Sequence, residues 1–332
     1  MDSPATETGA PSEAVQRRMF EIMTLAKACD ERLRKGISTG EFLTVYWPSR
    51  GQEAICAGLG VCLGTDDRLV TTYRGLHDQI GKGVLLVEIL GEMLGRQAGA
   101  CGGKGGTMHI ADPGVGLMLS TGIVGAGIPV AVGLALAARA QKTDRVVAVS
   151  FGDGATNTGS FHEAANLAAT WQLPMILVCQ NNGYAEMTPT VDTMHVEHIA
   201  DRAAAYNMPG ETIDGNDPLE VYRAFSAAVS RARAGGGPTL IECVTYRFFG
   251  HFFGDQMAYI PPEELEAAKA ADPVPRFADR LVEDGVLTRE QVAEIEEDGR
   301  RQVEDALVEV LASPPPTLDE LDRDVYAATK GR

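Results

Sequence analysis

The sequence predicts an α/β fold, a mostly parallel sheet with helices on both faces and a helical C-terminal extension. Three observations carry that expectation. First, residues 145–187 read as strand, glycine turn, helix, strand and polar loop. The runs 146–151 and 175–180 are apolar without alternation, as strands buried on both faces of a parallel sheet should be. Residues 159–171 between them have helical composition and stop before Pro174. Right-handed crossover makes the two strands parallel, neighbours or nearly so, with their carboxyl ends facing one crevice. Second, Val15, Met19, Ile22, Met23, Ala26 and Cys29 form a helical stripe over residues 13–34. Third, the chain turns charged and helical from Pro261. Thr288 and Gln291 there form a capping box for a helix running to about Ala312, ended by Pro314, Pro315 and Pro316.

The division expected is a flexible tail over residues 1–12, an α/β domain with an N-terminal helical arm over 13–275, and a helical extension over 276–332. Within it, residues 49–63 read as a helix start with Glu53 at the positive dipole end. Residues 113–138 carry no charge, long enough to cross a bilayer. Their six glycines, Pro129 and the Ser120-Thr121 pair fit a glycine-rich loop feeding a buried helix better. Residues 196–206 and 218–234 read as helices and 239–246 as another buried strand.

The net charge of −17 disfavours a nucleic-acid partner. Six cysteines without a Cys-x-x-Cys pair read as free thiols of a reducing compartment. The first twelve residues have neither signal-peptide nor transit-peptide character, so a cytoplasmic protein with no membrane span is expected.

The chemistry concentrates at the ends of the two strands. Gly152-Asp153-Gly154 follows the first and Asn181-Asn182 the second. A carboxylate and a neutral carbonyl oxygen suit Mg²⁺ or Ca²⁺ and are poor for zinc. Two protein oxygens leave an octahedron incomplete, and a diphosphate would supply the rest. Arg74 offers a planar fork for phosphate oxygens and Tyr73 a hydroxyl. The run 102–109, Gly-Gly-Lys-Gly-Gly-Thr-Met-His, is not a Walker A loop, because Ala98 and Gly105 stand at positions that motif reserves for other residues. It reads as a structural loop near the site. His251 lies in the aromatic, glycine-flanked loop 247–255, where its type alone fits surface or catalytic duty.

Gly-Asp-Gly followed by Asn-Asn, with a strand before each, resembles the thiamine-diphosphate signature of 2-oxoacid dehydrogenase and acetoin dehydrogenase alpha subunits. The resemblance is specific at Tyr73-Arg74, at Gly122 to Gly125, from Gly152 to Asn182 and at the His251 loop. It implies the thiamine-diphosphate-binding fold and cleavage of acetoin or decarboxylation of a 2-oxoacid. The acyl group then passes to a lipoyl-bearing acyltransferase. It also implies a beta subunit, in an alpha2beta2 heterotetramer, because the family's alpha chain supplies only the diphosphate half of the site. Carried over residue by residue, Asp153, Asn182 and the main chain at Tyr184 hold Mg²⁺. Tyr73, Arg74, Gly154 and Ala155 lie at the diphosphate, and Gly122 and Val124 offer main-chain groups to the aminopyrimidine. His251 falls on the histidine of the mobile loop that covers the cofactor, with neighbouring phenylalanines expected to exclude water. Leu76, Phe252 and Ile260 depart from residues common in the family, a histidine, a phosphorylatable serine in animal pyruvate dehydrogenase subunits, and an arginine. A transketolase-like half, a non-catalytic Mg²⁺-nucleotide module and a Rossmann dehydrogenase are the rival readings. The absence of Gly-x-Gly-x-x-Gly after a first strand disfavours the last.

Overall fold

A computed structural model describes residues 10–320 and Arg323; the first nine residues of the expected tail lie outside them. Helix α1 (Glu13–Ser38), capped by the Ser12 hydroxyl, leads to α2 (Glu53–Cys62) and strand β1 (Arg68–Thr72). Two short helices follow, α3 (Leu76–Lys82) and α4 (Leu86–Met93), then strand β2 (Leu117–Thr121) and helix α5 (Gly127–Ala140). The central unit is β3 (Val147–Gly152), α6 (Gly159–Thr170) and β4 (Met175–Asn181), as its apolar runs predict. A two-residue hairpin, β5 (Tyr184–Ala185) and β6 (Thr188–Pro189), precedes strand β7 (Gly210–Asp214), helix α7 (Pro218–Arg233) and strand β8 (Thr239–Val244). Helices α8 (Pro262–Ala270), α9 (Pro273–Glu283) and α10 (Arg289–Ala312) end the regular structure. Both halves of the Thr288–Gln291 capping box are made, at 2.9 and 3.2 Å.

Six strands form one parallel sheet in the order β2-β1-β3-β4-β8-β7. The strands read as uniformly apolar because alternate residues feed two different cores. Val147, Val149, Met175 and Leu177 face α5 and α6. Val146, Ala148, Ile176 and Val178 face the layer built from α1, α2, α7, α9 and α10. The boundary drawn at residue 275 falls inside α9, and Phe277, Leu281, Val303 and Val310 belong to the same buried cluster as Phe20 and Met23 of α1.

Several expectations need correction. Residues 196–206 are not an α-helix; a 3-10 segment, Ile199–Tyr206, ends at Asn207 with φ of 55°. The left-handed Asn207 lets the chain leave the helix and enter β7 at once. Strands β1, β2 and β7 are absent from the expected elements, β2 because it hides in the glycine-rich stretch. Helix α5 is not buried all round. Ile128, Ala131, Val132 and Ala135 face the sheet, whereas Pro129, Val130, Gly133 and Leu136 are exposed. No helix among the described residues is long and apolar enough to cross a membrane.

Phe277 is almost fully buried and meets the Phe20 ring edge-on at 6.3 Å. Phe277→Ala should lower the free energy of unfolding by about 3–5 kcal/mol in a urea titration. A separate early transition, with the main one unmoved, would show that α9 is not part of the central core.

Candidate active site

The carboxyl ends of β1, β2, β3, β4 and β8 converge on a cavity of about 400 Å³, within the usual range of small-molecule sites. Strand order reverses around β1, with β2 on one side and β3 on the other, which opens a crevice at those ends. Tyr73 and Arg74 follow β1, Gly122 and Val124 follow β2, and Asp153, Gly154 and Ala155 follow β3. Asn182 and Tyr184 follow β4. With His251, all of these sequence-selected residues line the cavity.

The site's electrostatics are unbalanced. Asp153 is 1% exposed, and burial raises its carboxyl above the usual range. Its side-chain hydrogen-bond partner among the described residues is the Thr190 hydroxyl at 3.3 Å, and no ion pair engages it. Arg74 is buried with no carboxylate against it among the described residues. It donates to the carbonyls of Pro48 at 2.9 Å and His251 at 2.8 Å, and burial pushes it down to about 10. Arg247, 1% exposed, donates to the Glu186 carbonyl and to the Tyr259 hydroxyl at 3.0 Å, while its Nε has no partner. Burying such charges without counter-charge is costly. A ligand combining a dianionic group with a divalent cation would answer both signs. The Asp153 carboxylate and the Asn182 carbonyl oxygen are a donor set for a hard cation. Asn182 Oδ1 faces only the Tyr184 N–H, at 3.4 Å.

The backbone there is shaped for close approach. A Cβ on Gly154 would stand 2.7 Å from that of Ala185, whereas one on Gly152 would meet nothing within 4 Å. Below the cavity, Gln180 accepts from Gln52 at 2.7 Å, pairs with His77 Nε2 at 2.9 Å and donates to Asp78 at 3.0 Å. Leu76 lies in the apolar core.

The His251 imidazole is half-buried and pushed down to about 4, by burial first and then by Arg74 and Arg247. Its Nδ1 lies 3.5 Å from an Arg74 nitrogen that can only donate, which favours the proton on Nε2. Asp255 folds the loop by accepting from the His251 N–H at 2.8 Å, the Met257 N–H at 2.9 Å and the Tyr259 hydroxyl at 2.7 Å. Gly250 and Gly254 take φ of 61° and 106° at its ends, a region open to glycine.

Three of the four phenylalanines near His251 engage other partners. Phe248 lies under Arg50 and Phe249 under Arg34, while Phe253 packs against the core. Phe252 flanks the imidazole at 6.4 Å between ring centres, and Tyr73 does so at 6.0 Å. Sequence reasoning missed Arg247, Gln52, Gln180 and Trp47, all in the cavity wall. Arg247 carried a signal, a cation at the end of an apolar strand, but the aromatic run beside it drew attention away.

Residues 20–319 match the model of the dehydrogenase E1 component family. The alpha subunit of acetoin:2,6-dichlorophenolindophenol oxidoreductase from Bacillus subtilis (strain 168) is 42% identical over 94% of this chain and 92% of its own length. The protein of the same name from Cupriavidus necator is 39% identical over 93% of each. The somatic-form alpha subunit of the human mitochondrial pyruvate dehydrogenase E1 component is 37% identical over 84% of this chain and 71% of its own. The chain therefore belongs to the dehydrogenase E1 component family, a membership that implies thiamine diphosphate as its cofactor.

Proposed function

We propose that this chain is the alpha subunit of a thiamine-diphosphate-dependent E1 component that cleaves acetoin or decarboxylates a pyruvate-like 2-oxoacid. The observation that carries this reading is the unmatched charge of the cavity, where among the described residues two buried guanidinium groups have no carboxylate in contact and one buried carboxylate has no cation in contact. Arg74, Arg247 and Tyr73 would receive the diphosphate, beside Gly154 and Ala155. Asp153, Asn182 and the Tyr184 carbonyl would hold Mg²⁺. Main-chain groups at Gly122 and Val124 would orient the aminopyrimidine. When bound, thiamine diphosphate supplies the nucleophilic carbon and the electron sink that acyl chemistry requires. Similarity to acetoin-enzyme alpha subunits over nearly full length favours acetoin as substrate.

A beta subunit is the partner in this reading, in an alpha2beta2 assembly. Ile123 and Val124 in the cavity lining are apolar and more than half exposed. That apolar stretch continues into the exposed face of α5 at Val130 and Leu136, a patch of the kind that marks an interface. The acyl group would leave on a lipoyl-bearing acyltransferase. A cytoplasmic location agrees with the six free cysteines.

His251 would serve the transfer step. Neutral at physiological pH and with its proton on Nε2, it would donate that proton to the sulfur released when the disulfide of an incoming lipoyl group opens to take the acyl unit. Loop closure keeps the imidazole neutral, so the closed state binds its proton less readily than an open loop at the ordinary value of 6.5. Closure is thus fully supported above about pH 6.5 and weakens as pH falls toward 4.

The purified chain should show no thiamine-diphosphate-dependent turnover until a beta subunit is added; turnover by the chain alone would sink the half-site reading. Calorimetry should show thiamine diphosphate with Mg²⁺ binding to the assembled enzyme and nucleotide not binding. Arg247→Ala should weaken that binding by roughly 10- to 100-fold, and wild-type affinity in the variant would remove Arg247 from the site.

His251→Ala should lower lipoyl-dependent turnover by about 10²- to 10⁴-fold and dye-dependent turnover less. Equal losses would reject the transfer role. The emission of Phe252→Trp should report the loop loosening between pH 6.5 and about 4. Adding His251→Gln should flatten that arm, and a response that survives the second substitution would assign the titration elsewhere.

A further inference from the structure

The glycine run that resembled a phosphate loop does hold an anion, and the anion is part of the chain. Glu92, in the last turn of α4, is fully buried. One carboxylate oxygen accepts from the N–H groups of Cys101 at 2.7 Å and Gly103 at 2.9 Å. The other accepts from Gly105 at 2.5 Å and Gly106 at 3.2 Å. No basic side chain among the described residues is paired with it. Four converging backbone donors are the arrangement by which loops bind phosphate and other anions. The close fold of the loop requires its glycines: a Cβ on Gly105 would lie 2.2 Å from the His109 carbonyl oxygen and 3.2 Å from Glu92 Oε1, and Gly103 has φ of 75°.

This loop leads directly into the cofactor cavity. From Gly106 a single 3-10 turn, Gly106–Met108, reaches Met108 in the cavity wall. The Met108 carbonyl accepts the Ser120 hydroxyl at 2.9 Å, and its sulfur lies 2.9 Å from where a Cβ on Gly122 would be. On its outer side the loop is tied to the end of α10, through Gln97 N–H to the Pro314 carbonyl and Ala98 N–H to the Ser313 hydroxyl.

We propose that Glu92 is the resident anion of this backbone nest and a positioning residue for the cavity wall formed by Met108 and Gly122. It touches neither cofactor nor substrate. Its negative charge gathers four N–H groups, fixes the course of the loop and so places the main chain at Gly122 and Val124. This rests on the cofactor reading above. It also means that the nest, emptied of its carboxylate, is a binding site for a small carboxylate ion.

The test uses Glu92→Ala in the enzyme assembled with its beta subunit, with formate as the probe. Amide hydrogen exchange over residues 101–106, read by mass spectrometry, should quicken in the variant and slow again as formate is titrated, but not with chloride at matched ionic strength. Thiamine diphosphate should bind about tenfold more weakly, as expected when buried donors lose their acceptor, and formate should restore it. Exchange unchanged by the substitution or by formate would overturn the nest. Restored exchange with cofactor affinity at the wild-type level throughout would overturn the positioning role. Should Glu92→Ala not fold, Glu92→Gln decides, because its amide must turn an NH₂ toward N–H donors. Faster exchange and weaker cofactor binding are expected, and wild-type values for both would overturn the proposal. Failure of the unsubstituted enzyme to bind thiamine diphosphate would refute the cofactor reading, while the exchange experiment would still judge the nest.

Discussion

Uncompensated charge at the carboxyl ends of a parallel sheet is the constraint on which this site depends. Asp153, Arg74 and Arg247 are each removed from water without an ion-pair partner among the described residues. An isolated charge in such a place costs several kcal/mol, and a fold keeps it only when the surrounding packing is strong enough to hold it. The two cores on either side of β3 and β4 provide that strength.

Other buried carboxylates show that the fold is able to satisfy charge when the site does not need it. Glu92 receives four backbone N–H groups. Glu242, also buried, accepts from the Asn181 amide at 2.7 Å, the Ala200 N–H at 3.1 Å and the Thr212 hydroxyl at 2.9 Å, and thereby steadies the turn that carries Asn182. Glu53 lies between the Gly51 N–H and the Arg50 guanidinium. Against that background Asp153, whose side chain accepts from the Thr190 hydroxyl, contrasts with these well-satisfied carboxylates. The guanidinium groups of Arg74 and Arg247 donate to neutral oxygens.

Much of this was legible in the sequence because the relevant signals are local. The β3–α6–β4 unit, the Gly-Asp-Gly turn and the capping box each lie within a few dozen residues and leave a periodic or steric trace. What was hidden depends on distant contacts. Arg247 becomes a site residue only because β8 inserts beside β4, and Gln52 only because Gln180 reaches it across the floor. Helix α5 misled for a different reason: an all-round apolar pattern signals burial without saying whether the covering surface belongs to the same chain. The phenylalanines near His251 were assigned to the cavity by composition, whereas Arg34 and Arg50 on a neighbouring layer draw two of them away.

The pairing of α1 with α10 joins the first helix of the chain to one of its last. On the ribosome, α1 emerges with Met19, Ile22 and Met23 exposed, and the residues that will cover its α10 side are still unmade. The same holds for β7, whose one sheet neighbour among the described residues, β8, is synthesised after it. Completion of this domain is therefore deferred until α10 has been synthesised. During that interval the nascent chain carries an unsheltered apolar stripe, the kind of surface that chaperones recognise.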